Sequence, residues 1–163
     1  MSQGTVYLTK QRLSELEEKL RDLRLNARKD VAERIAEARS HGDLSENAEY
    51  DAAKEEQSHL ELKISKLENL LSRVKVLEPH DIPDNEVYIL SIVKVLDVSY
   101  KEEVTFKMVS PEEADFEEDK ISITSPIGQA LLGKKVNEVA IVEAPEGKNE
   151  YKILEISKQG ING

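Results

Sequence analysis

At 163 residues the chain can form one domain or two small ones, and with 39% apolar residues, 34% charged residues, no Trp and two Phe, a single thick core is not expected. The absence of cysteine excludes disulfides and thiolate chemistry, and no apolar run has the length of a signal peptide or a bilayer span, so a cytoplasmic location without a membrane partner is expected. A formal net charge of −10 argues against a general nucleic-acid binder, but residues 1–79 hold 14 Lys/Arg against 16 Asp/Glu while residues 80–163 hold 9 against 17, which suggests two units with different partners.

The first element predicted is a helix from Lys10 to Ser40, with Thr9 as its N-cap. Leu13, Leu16, Leu20, Leu23, Ala27, Val31, Ile35 and Ala38 recur at three- and four-residue spacing, and neither Gly nor Pro interrupts them. About 30 residues at 1.5 Å rise make roughly 45 Å of helix, which needs a partner along its length. On the same helix Arg21, Arg24 and Arg28 form a stripe, with Lys29 adjacent. Such a stripe is either a solvated face, with Arg24 and Arg28 paired to acids on a returning helix, or a strip that holds phosphates.

The segment His41 to Gln57, HGDLSENAEYDAAKEEQ, breaks the pattern and forms the tip of a hairpin. Gly42 supplies the turn, and Asp43-Leu44-Ser45-Glu46 has the form of a capping box, with Asp43 at the N-cap. The returning helix is expected from about Ser45 to Leu77, with Ala53, Leu60, Ile64, Leu67, Leu71 and Val74 as its apolar face and Pro79 beyond its end. A link this short makes the two helices antiparallel neighbours, a coiled-coil hairpin over residues 1–79.

From Glu78 to Asn85 the composition turns to proline and turn formers, and residues 80–163 read as a second domain. Strands are expected at Val87 to Val98, Val104 to Val109, Ile121 to Thr124, Val139 to Val142 and Tyr151 to Ile156. A short helix, Ile127 to Leu132, opens at Ser125-Pro126 and closes at Gly133, and Pro145 to Lys148 is a hairpin turn. The fold class is α+β: a small antiparallel sheet with one helix, after a helical hairpin. Neither half carries a phosphate loop or a nucleophile elbow, and the acidic run EEADFEED lacks the spacing of a calcium loop.

Two blocks carry a family resemblance. IAEARSHGDLSENAEYDAAKEEQ and ADFEEDKISITSPIGQALLGKKVNEVAIVE resemble, in order and separation, the signatures of the GreA/GreB family of bacterial transcript-cleavage factors, and the resemblance covers nearly the whole chain. Leu44 and the Ala52-Ala53 pair resemble the GreA side of that family. The resemblance implies an FKBP-like second domain that docks on RNA polymerase and a hairpin that enters its secondary channel. Asp43 and Glu46 then map onto the two tip acids, which help hold the second Mg²⁺ of the polymerase active centre and a water. Arg21, Arg24, Arg28 and Lys29 become the counterpart of the basic patch that meets the nascent RNA 3′ end. It implies a monomeric accessory factor rather than an enzyme, stimulating the polymerase's own cleavage of backtracked RNA. It is expected to bind no cofactor alone, because two carboxylates are too few to hold Mg²⁺ tightly.

The resemblance implies a glycine, usual in that family, in the first strand of the second domain where Leu90 stands here, which bears on a local bulge but not on the fold. Prolyl isomerase activity is not expected from the FKBP-like fold, since Phe106, Phe116 and a few Tyr do not make an aromatic-lined pocket. Two alternatives stay open: a channel-binding regulator without cleavage, against which the intact Asp43 and Glu46 argue, and a structural coiled coil in which those acids only cap.

Overall fold

The computed structural model describes residues 4–42 and 47–158. The chain packs as two compact units, Leu13–Arg73 and the segments on either side of it. The fold is α+β, a helical hairpin and a curled sheet.

In the helical unit, α1 (Lys10–Asp22) runs through a π turn (Leu23–Ala27) into α2 (Arg28–Arg39), and α3 (Ala48–Leu71) returns. Leu16, Leu20, Val31, Ile35 and Ala38 are buried on the outgoing strand of the hairpin, and Ala53, Leu60, Ile64 and Leu67 on α3, the seams that the spacing predicts. The π turn is marked by the Arg28 N–H, which donates to the carbonyl of Leu23 five residues back. Strict three–four alternation from Leu13 ends at residue 37, whereas the apolar series ends at Ala38, and the wider turn takes up the added residue.

The sheet unit contains two small strands that periodicity did not indicate, β1 (Val6–Leu8) and β2 (Val74–Val76), paired in parallel with Val6 opposite Val74. Both are three residues long, too short to show a period. The Tyr7 N–H donates to Ser110 Oγ at 3.0 Å, and Arg12 forks onto Glu113, with Nε to Oε1 at 2.5 Å and Nη2 to Oε2 at 3.2 Å. The composition change from Glu78 to Asn85, which marked the expected division, lies inside this unit, to which the paired strands belong. The returning helix accordingly stops at Leu71, short of the expected Leu77, and gives way to β2.

The main strands are β3 (Ser91–Asp97), β4 (Glu102–Val109), β5 (Lys120–Ser122), β6 (Val139–Ala144) and β7 (Gly147–Lys158), in the order β5-β4-β3-β7-β6. All pairings are antiparallel except β4 with β5, so the expected antiparallel sheet carries one parallel edge. Val93, Val95, Phe106, Met108, Ile121, Ala140 and Ile153 form the core together with Leu131 of α4 (Pro126–Leu131). Ser125 caps α4 by accepting from the Gly128 N–H, and a Cβ on Gly128 would lie 1.9 Å from the Ser122 carbonyl oxygen, so only glycine lets the helix sit this close to β5.

The predicted first strand begins four residues late, at Ser91. Leu90 interrupts it with a left-handed backbone, φ 71°, and its N–H donates to the Met108 carbonyl. The position therefore keeps a conformation that glycine adopts most readily, with a leucine in it.

Candidate functional site

The hairpin end is the site the sequence singles out. Asp43 and Glu46 lie outside the described residues, and the geometry below belongs to the groups that flank them. On the outgoing side α2 ends with the Ser40 N–H bonded to the carbonyls of Ala36 and Glu37, followed by Gly42 at φ +101°. On the returning side the N-cap is Asn47: its side-chain oxygen accepts from the Tyr50 N–H at 3.0 Å. This corrects the expected cap at Asp43. Asparagine is as good a cap as aspartate, and it stands one residue before the first helical position.

Asn47 also spans the hairpin. Its Nδ2 donates to the Ala38 carbonyl at 2.5 Å, which also accepts from the His41 N–H, so one side chain satisfies an orphan donor of α3 and ties it to the last turn of α2. His41 Nδ1 lies 2.8 Å from Glu49 Oε2, and the Arg39 guanidinium sits 5.7 Å from the centre of the Tyr50 ring. Three cross-links thus brace the two ends of the tip segment. Among the described residues no group of three His, Asp or Glu converges as metal ligands. The donor chemistry of Asp43 and Glu46 suits a hard ion such as Mg²⁺, while two carboxylates leave most of an octahedral shell to other ligands.

The arginine stripe is paired. Arg21 bonds Glu18 on its own helix, Arg24 reaches Glu68, and Arg28 forks onto Glu61 with Nε to Oε2 at 2.9 Å and Nη2 to Oε1 at 2.8 Å. Lys29 makes no ion pair with the described residues. A further bidentate pair, Arg34 with Glu56, was not anticipated. Arg28 and Arg34 are six residues apart, about 120° round the helix, so they flank the seam on opposite sides. Partner numbers fall as arginine numbers rise, and this antiparallel register could have been extracted from the sequence by pairing the two helices. Hydrogen bonding from Arg28 holds the Glu61 carboxyl below its ordinary range, and Glu61 in turn raises Arg28. Beside the π turn, Glu17, Leu20, Arg21, Arg24, Leu25 and Leu71 line an open groove of about 420 Å³.

Two family models match the chain: the transcription elongation factor N-terminal domain over residues 6–76, and the GreA/GreB transcription elongation factor C-terminal domain over residues 82–158. The chain is 51% identical over 150 residues to transcription elongation factor GreA of Chloroherpeton thalassium, covering 92% of this chain and 95% of that protein. It is 53% identical over 151 residues to GreA of Amoebophilus asiaticus, covering 93% and 96%. Among solved structures, GreA factor homolog 1 (Gfh1) of Thermus thermophilus is 31% identical over 93% of this chain and 98% of its own, with a TM-score of 0.45.

Proposed function

The chain belongs to the GreA/GreB family of transcription elongation factors, and from that premise we propose that it binds RNA polymerase and stimulates cleavage of backtracked nascent RNA. In this reading the sheet unit docks on the polymerase and the hairpin enters the secondary channel. Asp43 and Glu46 arrive at the polymerase active centre, where their carboxylates help hold the second Mg²⁺ and orient the attacking water. The ion supplies Lewis acidity and a water of lowered pKa. Arg21, Arg24, Arg28 and Lys29 take phosphates of the RNA 3′ segment by charge and by the guanidinium fork. Free in solution, the protein has too few ligands to act alone and is an accessory factor of the cytoplasm rather than an enzyme.

The observation that carries this reading is the cap. Asn47 caps α3, so the N-cap of the returning helix is filled without Asp43. For the two acids of GDLSEN, carrying negative charge to a metal is the role this reading assigns.

The experiment is a stalled, backtracked elongation complex with the Asp43→Asn/Glu46→Gln variant. The expected result is loss of nearly all cleavage stimulation, with retained competition against wild type for polymerase and an unchanged melting temperature. Asn47→Ala is the structural control and should cost about 0.5–2 kcal/mol of stability. Near-wild-type cleavage by the amide variant overturns the proposal.

A further inference from the structure

We propose that Glu61 and Glu68 set the strength with which the hairpin's arginine strip takes RNA phosphates, each carboxylate occupying the guanidinium face that a phosphate needs. The inference rests on the phosphate-binding reading of Arg21, Arg24 and Arg28.

Glu61 fills the Nε–Nη2 edge of Arg28, with contacts of 2.9 and 2.8 Å. That edge is one of the guanidinium faces that fits a phosphate through two parallel hydrogen bonds. Glu68 holds Arg24 through Nη2 in the same cross-helix manner, and Glu18 holds Arg21. All these side chains are close to half exposed or more, so a polyanion can reach them. Four cations, Arg21, Arg24, Arg28 and Lys29, face three paired carboxylates, which leaves the strip with a net charge of only +1. The Glu61 carboxyl, held low by Arg28, stays ionised at neutral pH and remains a competitor. A phosphate must therefore displace a carboxylate or share the guanidinium with it. Lys29, which has no ion pair with the described residues, is the cation it meets without competition.

Removing one carboxylate charge about 6 Å from a bound phosphate should strengthen the contact roughly threefold at low salt by Coulomb's law in water, and less as screening increases. If Arg24 or Arg28 then engages a phosphate outright, each also adds about 0.7 to the logarithmic salt slope for single-stranded RNA.

The test measures photo-crosslinking of the full-length protein to the RNA 3′ end in a backtracked elongation complex, as a function of factor and salt concentration. Glu61→Gln and Glu68→Gln should each raise apparent affinity about threefold and steepen its salt dependence. In an Arg28→Gln background the Glu61→Gln change should keep only the gain from removing a negative charge and lose the added salt slope. Crosslinking that is unchanged or weaker in the glutamine variants, while arginine-to-glutamine changes reduce it, overturns the competition and leaves the strip as an RNA site. Weaker crosslinking with a lowered melting temperature assigns the pairs to hairpin stability. If Arg21, Arg24 and Arg28 can all become Gln without effect, the phosphate-binding reading itself falls and this inference with it.

Discussion

At the scale of single residues, Leu90 shows two opposed effects on one side chain. Its left-handed φ of 71° costs about 1–2 kcal/mol for a residue with a Cβ. Its side chain is buried with Ile82 and Ile89, and Tyr7, Leu77 and Ile123 pack against that cluster. Deleting a buried leucine side chain costs about 2–5 kcal/mol, so the packing outweighs the strain. Leu90→Gly should relieve the backbone and still destabilise the protein by about 1–3 kcal/mol, read from the midpoint of chemical denaturation at unchanged slope. A more stable glycine variant would show that the strain dominates.

At the scale of the helices, the hairpin is tied along both flanks by cross-helix pairs as well as by its apolar seam. The Arg28–Glu61 pair titrates with a definite sign. The folded-state pKa of Glu61 is depressed, so its pairing with Arg28 contributes stability above the ordinary carboxylate range, and that contribution is lost as pH falls through the depressed value. Helical melting followed by circular dichroism should therefore fall towards acid pH, and Glu61→Gln should lower the plateau near neutrality and flatten that acid limb. An acid limb of unchanged steepness in the variant would mean that other carboxylates govern it. The same pairs explain why the arginine stripe reads ambiguously: a cross-helix pair and a phosphate contact use the same guanidinium donors.

At the scale of the molecule, chain segments far apart in sequence share the sheet unit. Arg12 and Glu113 are 101 residues apart, and the Glu113 side chain is only 11% exposed. Arg12→Met leaves that carboxylate without its fork and should destabilise the protein by about 1.5–3 kcal/mol, the range for hydrogen bonds to charged groups. Arg12→Met paired with Glu113→Gln should recover part of that loss, since the stranded charge is gone. A melting temperature unmoved by Arg12→Met would mean that the pair contributes nothing and that β1 attaches through its apolar packing and the bond to Ser110. A fragment beginning at residue 80 also lacks β1, β2 and Arg12, so it is a poorer stand-in for the sheet unit than the composition change suggests.

The sequence by itself determined the features whose signal is local and repeated. The three–four spacing of leucines made the helices, and alternating β-branched residues made the long strands. Ser125-Pro126 and Gly133 framed α4, and the GDLSEN and ISITSPIG blocks marked the family. Only the tertiary structure decided which of several competent polar residues takes a role. Asp43, Ser45 and Asn47 can each cap a helix, and the choice of Asn47 depends on the Ala38 carbonyl that receives its amide from the other arm. The pairing of Val6–Leu8 with Val74–Val76 was equally hidden, because each strand is three residues long and its partner lies some 68 positions away. Whether the arginines are paired depends on the register of two helices, which places Glu61 against Arg28 and Glu68 against Arg24. Spacing along one helix sets which face a side chain occupies; what stands opposite is a property of the packed pair.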